Sequence, residues 1–318
     1  MNLGEWFSSD GKYKNPTIPV YTVQKPRSDT ENMVIVICGE GYTKSQQGKF
    51  VKDVIRLWNQ VTSVEPYRSL ADDFNVYALC TTSESTFGSG GSTFFDVTNG
   101  SYGRDLLVSN VNSMLKNHIL DRCIGPEFID KIHDAHIENK TDPNTLPLNP
   151  DGTRADEYAL YRYVFDYISE FVLLVNTPTY GGASISNMNY GLRYATVTSD
   201  NSNSPMILLH ELGHGIQYLT EEYSTGTLSP DYDIEANACW TGDPEKVKWK
   251  NLLGFRTTYS TRNEYNQSNE NAMVGPSWEC IMRSVYLNKF CEICKLHSVK
   301  VETKDIKVQP TFMWRFPR

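Results

Sequence analysis

The sequence MILLHELGHGIQYLTEEY, at residues 206–223, decides how the rest of the chain is interpreted. Its apolar residues predict a helix with a buried body. Two histidines within it, His210 and His214, are four residues apart and therefore lie on one face of that helix. Glu211 follows the first histidine. Burying two imidazoles and a carboxylate is costly unless something pairs with them, and a metal ion would do so.

The spacing of these three residues is typical of zinc hydrolases. In that chemistry two neutral histidines bind Zn²⁺, and a glutamate acts as general base on zinc-bound water. His210 and His214 are therefore the candidate metal ligands, and Glu211 is the candidate catalytic base. The alternative is a half-buried helix whose polar side chains are satisfied by ordinary hydrogen bonds.

The amino-acid composition and charge of the chain favour a globular protein and argue against nucleic-acid binding and membrane-spanning functions. The 318 residues are 39% hydrophobic, which is enough apolar material for a large core in one domain or two smaller ones. The formal net charge is −8 and the sequence has no Lys/Arg cluster, which speaks against nucleic acid as the main partner. No apolar run approaches the ~20 residues that span a bilayer. The first twelve residues lack the apolar core of a signal peptide, and this leaves the location open.

The first part of the chain predicts an α/β fold. Met33–Cys38 reads as a buried strand, Thr43–Gln46 as a capping box that opens an amphipathic helix, and Asp73–Cys80 as a second strand. Strand, helix and strand within about 45 residues predict a βαβ unit. Further strands are predicted at 170–176 and 193–198, the second with the alternation of an edge strand, and helices at 105–121, 126–138 and 157–168.

The two ends of the chain differ from this pattern. Residues 1–32 are polar with scattered prolines and predict an arm over the surface. Beyond about residue 216 the sequence is irregular, with short helices predicted at 245–253 and 287–296 and a closing strand at 299–308. The histidine-bearing helix lies at the seam between the two parts, where we expect a cleft.

A catalytic zinc usually has three protein ligands, so a third residue is needed. On an unbroken helix Glu221 would lie ~10 Å along the axis from His214, too far to bind the same ion. If Glu221 is the ligand, the helix must end soon after His214, and Gly215 weakens it there. The rival is Glu235, although the sequence around it reads more as loop than as helix.

The cysteines form one notable group near the C-terminus: Cys280, Cys291 and Cys294, followed by His297. The group could be a second zinc site, a disulfide or redox pair, or plain packing. The gap from Cys280 to Cys291 is not a standard zinc-finger spacing. We therefore favour free thiols over a disulfide, and a disulfide over a structural zinc.

Several motifs resemble one family, the bacterial IgA-peptidase-like metallopeptidases. HELGHGIQYLTEEY, at 210–223, aligns without a gap to the family pattern HEFGHSFGGLxDEY. VIVICGEGYTKSQQGKF resembles the family's opening strand, GDGYT turn and helix, and VEPYRSLADDFNVYAL resembles its EPFRxxxDxFNVxxV segment. Counterparts of GSYGRDLL, VNTPTYGG, EANA, VKWKNLL, CIMRS and FCEIC follow in the same order, so the resemblance covers about residues 33–296.

The resemblance implies a fold. It is that of a metzincin-like zincin: a twisted mixed sheet flanked by helices, with an irregular C-terminal subdomain. The whole chain, 1–318, would be a single metallopeptidase catalytic domain without the family's N-terminal β domain. Its parts would be the arm at 1–32, an upper subdomain at 33–216 and a lower subdomain at 217–318.

The resemblance also implies a site. His210, His214 and Glu221 would bind one catalytic Zn²⁺, Glu211 would be the general base, and Met282 would be the methionine that lies under the zinc. Taken alone, Met282 reads as an ordinary core residue. The chain departs from the family pattern in two places. Gln217 replaces a glycine at which the family's chain turns, and Glu221 replaces an aspartate.

The resulting hypothesis is a zinc-dependent endopeptidase that acts on extracellular proteins. An oxyanion helper is expected from Tyr223 or from the loop that begins Tyr180-Gly-Gly, and the strand at 193–198 is expected to pair with extended substrate. The resemblance implies a bacterial protein that is secreted, periplasmic or at the cell surface, and we expect a monomer. The alternatives are a zincin-fold binding protein with little turnover and a zinc hydrolase of a non-protein amide or ester.

Overall fold

The computed structural model describes residues 18–27, 32–91, 93–95, 169–187, 192–222, 237–240, 246–252, 260–261 and 273–296. The helices predicted at 105–121, 126–138 and 157–168 and the strand predicted at 299–308 lie outside these residues.

A six-stranded mixed sheet is the framework of the fold. Its strands are β1 (Val20–Gln24), β2 (Met33–Glu40), β3 (Phe74–Leu79), β4 (Glu170–Val175), β5 (Gly182–Asn187) and β6 (Leu192–Thr198). They lie in the order β1-β3-β2-β4-β6-β5. The four inner strands are parallel to one another, whereas the edge strands β1 and β5 pair antiparallel with β3 and β6. The predicted α/β fold is thus confirmed as a mixed α/β domain.

The central parallel strands are apolar because both of their faces are covered. Every residue of β3 and β4 is buried, and so is every residue of β2 after Met33. Helix α1 (Gln47–Val61) connects β2 to β3 and completes the predicted βαβ unit. At the turn before it, the Thr43 backbone N–H donates to Gln46 Oε1 at 3.0 Å, in the manner of the predicted capping box.

The histidine-bearing helix, α2 (Ser204–Gly215), packs against β5, β6 and α1. Its apolar side chains, among them Ile207, Leu208 and Leu212, enter the same core as the central strands. Because the helix is buried along most of its length, its polar residues are held at fixed positions against the sheet. The prediction of a buried helix body is confirmed.

Two expectations about the edges of the sheet change. Residues 193–198 alternate like an edge strand, but β6 lies between β4 and β5, and the edge is β5. Alternation reports which faces are apolar and does not report the order of strands in a sheet. Residues 20–24, inside the segment predicted as a surface arm, form β1 on the opposite edge. The division of the chain at residues 32 and 216 stays a prediction.

The described C-terminal segments contain short elements. A second sheet has strands β7 (Cys239–Trp240), β8 (Ser260–Thr261) and β9 (Met273–Gly275), in the order β7-β9-β8. Where longer helices are predicted, the structure has 3-10 turns at Lys250–Leu252 and Val285–Leu287 and a helical turn at 292–296. Within the part of the chain that is described, no helix has the length and apolarity needed to cross a bilayer.

Candidate metal centre

The C-terminal end of α2 reverses the chain. The helix ends at Gly215, and the Ile216 N–H still reaches Leu212 O at 2.9 Å. Tyr218 then takes a left-handed conformation with φ of 55°, and the Leu219 N–H returns to Gly213 O at 3.0 Å. This bond closes the turn around the left-handed residue. The helix therefore ends where the sequence requires it to end if Glu221 is to approach the histidines.

The left-handed residue is Tyr218, and Gln217 is not left-handed. In the family pattern both positions are glycine. The departure at 217 therefore carries no conformational cost, whereas a tyrosine in the left-handed region costs about 1–2 kcal/mol relative to an ordinary backbone conformation. The departure from glycine at position 218 therefore carries the conformational cost of the turn, and the predicted departures at Gln217 and Glu221 did not include it.

The turn brings three side chains together, and we call them the histidine cluster: His210, His214 and Glu221. The two Nε2 atoms are 3.2 Å apart. Glu221 Oε1 lies 3.1 Å from His214 Nε2, and Glu221 Oε2 lies 3.3 Å from His210 Nε2. Bonds of about 2.0–2.1 Å from a tetrahedral Zn²⁺ would place ligand atoms about 3.3 Å apart, so the three groups fit one such ion.

The outer nitrogen of each imidazole is fixed by a backbone carbonyl. His210 Nδ1 lies 2.9 Å from Ile281 O, and His214 Nδ1 lies 2.6 Å from Leu219 O. A carbonyl oxygen only accepts, so each Nδ1 carries a hydrogen, and in a neutral ring the Nε2 lone pair is then directed at the cluster. Two lone pairs and a carboxylate converge on one point, an arrangement that needs positive charge from protons or from a metal ion.

The electrostatics of the histidine cluster reflect this convergence. Burial would raise the pKa of Glu221, but hydrogen bonds from His210 and His214 outweigh it and hold that pKa well below its usual range. Burial would lower the pKa of His210, yet its contact with Glu221 raises it above the ordinary histidine value. Both shifts mean that positive charge at the imidazoles and negative charge at Glu221 stabilise each other.

Glu211 lies beside the histidine cluster and beneath β5. The side chain is buried, and burial raises its pKa while the two histidines lower it. The backbone N–H of Ser184, on β5, also bonds to this carboxylate. A Cβ at Gly182 would lie 3.0 Å from Glu211 Oε1 and 2.1 Å from Ile207 Cγ2. The edge strand can pass this close to Glu211 because residue 182 has no side chain.

Met282 lies under the helix between the two histidines. It is completely buried, and a Cβ at Gly213 would lie 2.6 Å from its Sδ atom. The neighbouring Ile281 supplies the carbonyl that orients His210. The resemblance pointed to Met282 but not to Ile281, because a backbone carbonyl contact between residues 71 positions apart has no side-chain pattern in the sequence.

Two tyrosines lie at the exposed side of the site. Tyr180 and Tyr286 are 53% and 69% exposed. Partial burial raises the pKa of Tyr180, and the nearby Tyr286 and Glu211 raise it further. The charge of Glu211 therefore acts on Tyr180, which begins the Tyr180-Gly-Gly loop, and Tyr286 acts on Tyr180 as well. Tyr286 was not predicted as a site residue from the sequence. Tyr223 and Glu235 lie outside the described residues.

The scaffold and the site define a class: a candidate metal-dependent hydrolase centre on a mixed α/β domain. The chain matches the family described as IgA Peptidase M64 over residues 21–102 and 155–269, which together are more than half of its 318 residues. The chain belongs to this family, a family of metallopeptidases. No curated protein matches the chain.

Proposed function

We propose that the protein is a zinc-dependent endopeptidase with the architecture of a metzincin-like zincin. The observation that carries the proposal is the convergence of His210 Nε2, His214 Nε2 and the Glu221 carboxylate at 3.1–3.3 Å from one another. Two imidazoles, one carboxylate and an open fourth position make up the ligand set of catalytic zinc. When bound there, the ion polarises a substrate carbonyl and lowers the pKa of a water molecule.

Glu211 is the proposed general base. It accepts the proton of the attacking water on its carboxylate and then delivers that proton to the amine that leaves. Its burial raises its pKa, which brings the carboxylate closer to the range in which it both accepts and donates protons near neutral pH. The Ser184 N–H fixes the carboxylate, so the base does not need to be reoriented between the two steps.

The substrate strand is assigned to β5 in place of the strand at 193–198. Because β5 is an antiparallel edge strand, one side of its backbone is unpaired by the sheet, and an extended peptide can add to it. The Ser184 N–H, which bonds to Glu211, points away from β6. A peptide along this edge would therefore cross directly in front of the general base. Tyr180 is the proposed oxyanion helper within the described residues.

The substitution Glu211→Gln tests the mechanism. The amide has nearly the same shape but cannot accept the proton, so casein hydrolysis should fall by at least about 10³-fold. Zinc content and the circular dichroism spectrum should not change. Glu84→Gln, which removes an exposed carboxylate that is not part of the histidine cluster, is the matched control and should cleave casein at the wild-type rate. If the Glu211→Gln variant also does so, the proposed mechanism is wrong.

The proposal extends to the setting of the reaction. Following the resemblance, we propose that the enzyme is secreted or at the surface of a bacterium and cuts extracellular proteins. Two rivals remain: a binding protein with little turnover, favoured by the departures at Gln217 and Glu221, and a hydrolase of non-protein amides or esters. A panel of protein, peptide and ester substrates, each assayed with and without chelator, separates the three.

A further inference from the structure

A second cluster lies directly behind the histidine cluster, and we call it the cysteine cluster: Glu222, Cys280, Cys291 and Cys294. All four side chains are buried. Cys294 Sγ lies 3.7 Å from Cys280 Sγ, 3.5 Å from Cys291 Sγ and 3.5 Å from Glu222 Oε1. One ligand atom from each residue lies within 4.8 Å of all the others. None of this is needed for the proposed peptide hydrolysis.

The spacing of the cysteine cluster fits a tetrahedral metal site. With Zn–S bonds of about 2.3 Å, two thiolates on one Zn²⁺ are about 3.8 Å apart, and a thiolate and a carboxylate oxygen slightly less. The three separations from Cys294 Sγ are 3.5–3.7 Å, and the other ligand atoms lie within 4.8 Å of one another. A disulfide would need sulfurs about 2.05 Å apart, and none of the six cysteines in the described residues forms one.

Two hydrogen bonds also orient ligand atoms of the cluster. The Cys291 N–H donates to Cys280 Sγ at 3.4 Å, and Asn237 Nδ2 donates to Glu222 Oε1 at 3.1 Å, so the two contacts orient a thiolate and a carboxylate.

We propose that Glu222, Cys280, Cys291 and Cys294 bind a second Zn²⁺ whose role is structural. Three sulfurs and one oxygen at tetrahedral spacing select a thiophilic ion without a preferred non-tetrahedral geometry, which is Zn²⁺ among the common divalent cations. Four protein ligands in a buried pocket leave no position for water or substrate. This inference does not rest on the proposed peptidase activity.

The second ion would stabilise the segments that support the histidine cluster. Glu222 is joined by its N–H to Met282 O at 2.9 Å, and Arg283 Nη1 donates to Glu222 O at 3.1 Å. Cys280 begins the same turn, whose Ile281 carbonyl orients His210. If Glu222 and Cys280 bind one ion, that ion fixes the position of Glu221, the residue before Glu222. It also fixes the turn at Cys280 that lies beneath the helix.

Counting zinc is the first test. After gel filtration of zinc-loaded protein, wild type should retain two ions per chain, and the His210→Ala/His214→Ala double variant should retain one. Adding Cys294→Ser to the double variant should remove the remaining ion. Cys80→Ser is the control, because this half-buried thiol lies outside the cluster, and it should keep the wild-type count. A folded double variant that retains no zinc overturns the proposal.

A second test does not depend on whether any variant folds. Wild-type protein is loaded with Co²⁺ in place of zinc, and its near-ultraviolet absorption is recorded. Thiolate ligands give Co²⁺ a charge-transfer band that imidazole and carboxylate ligands do not give, so the band reports on the cysteine cluster alone. We expect the band, and we expect a mercurial thiol reagent to abolish it and release one ion. No band, or a Cys291–Cys294 disulfide in peptides from the non-reduced protein, overturns the proposal.

Discussion

The histidine cluster and the cysteine cluster differ in exposure and in number of ligands. In the histidine cluster three groups converge, and the side chains of His214 and Glu221 keep 18% and 29% of their surface exposed. In the cysteine cluster four groups converge and all are buried. Catalytic zinc sites keep an open position for water, whereas structural sites are closed by protein ligands. The two clusters match these two types, and the difference supports the proposed catalytic role of the histidine cluster and the proposed structural role of the cysteine cluster.

Neighbouring residues connect the two clusters. Glu221 belongs to the first and Glu222 to the second, and adjacent side chains of a non-helical segment point in opposite directions. The position of Glu222 is fixed by the Met282 carbonyl and by Arg283, so the position of Glu221 is fixed with it. The cysteine cluster can thus set the geometry of the histidine cluster through the single peptide unit between Glu221 and Glu222.

The largest difference between the two clusters is expected when the same substitution is made in both glutamates. Glu221→Gln weakens the charge that holds the catalytic ion, and casein hydrolysis should fall by about 10³-fold or more with little change in Tm. Glu222→Gln leaves three buried thiols without their carboxylate, and the free energy of unfolding should fall by about 3–5 kcal/mol. Activity assays below the transition and thermal unfolding of both variants measure the two effects.

The contrast between the two variants is the informative result. If Glu222→Gln unfolds at the wild-type temperature, the cysteine cluster does not hold the fold. If Glu221→Gln lowers Tm as much as Glu222→Gln does, the division into a reactive and a structural cluster is wrong. Zinc counts on both variants show which ion each substitution releases.

A smaller effect is expected at the edge strand, which borders the histidine cluster. In Gly182→Ala the new Cβ would lie 2.1 Å from Ile207 Cγ2, so the core must shift, at a cost of about 1–3 kcal/mol in stability. Glu211 would move with Ile207, and kcat should fall. Gly181→Ala is the matched control, because its Cβ meets only Thr198 Cγ2 at 3.6 Å, an ordinary contact. Equal Tm and kcat for the two variants would contradict the close approach of β5 to Ile207 and Glu211. The cobalt charge-transfer band of the cysteine cluster should be unchanged in both variants.

The parts of the fold that could be predicted from sequence are those that depend on local pattern. The apolar run of β2, the capping of α1 and the histidine spacing of α2 are each determined within a few residues, and the structure has each of these elements. The order of strands is different, because β5 (GASISN) and β6 (LRYATVT) each carry a mixture of polar and apolar residues that is compatible with an edge position. Which of them lies at the edge depends on packing against β4 and α2, and sequence pattern does not record this.

The candidate site divides in the same way. His210, Glu211 and His214 could be predicted because one helix turn places them together, and the approach of Glu221 follows once the helix ends at Gly215. The cysteine cluster joins Glu222 to residues about 60–70 positions away, and neither standard zinc-finger spacing nor any periodic pattern connects them. Sequence alone therefore favours free thiols, and the structure has Cys280, Cys291 and Cys294 as free cysteines. The proposed metal site rests on the three-dimensional spacing of their sulfurs, which the sequence does not record.

The smallest expected effect concerns Tyr218, whose turn directs Glu221 to one cluster and Glu222 to the other. At a left-handed position glycine avoids a steric cost that alanine incurs, so Tyr218→Gly should be more stable than Tyr218→Ala by roughly 1 kcal/mol. Lys52, exposed in the middle of α1, gives the matched control with the opposite sign. There the glycine variant should be less stable than the alanine variant by about 1 kcal/mol, because glycine is the poorer helix former. Chemical denaturation of the four variants measures both differences. If the sign at position 218 matches the sign at position 52, the chain does not reverse at Tyr218. The path that brings adjacent glutamates to separate clusters would then be wrong, even if each cluster binds its ion.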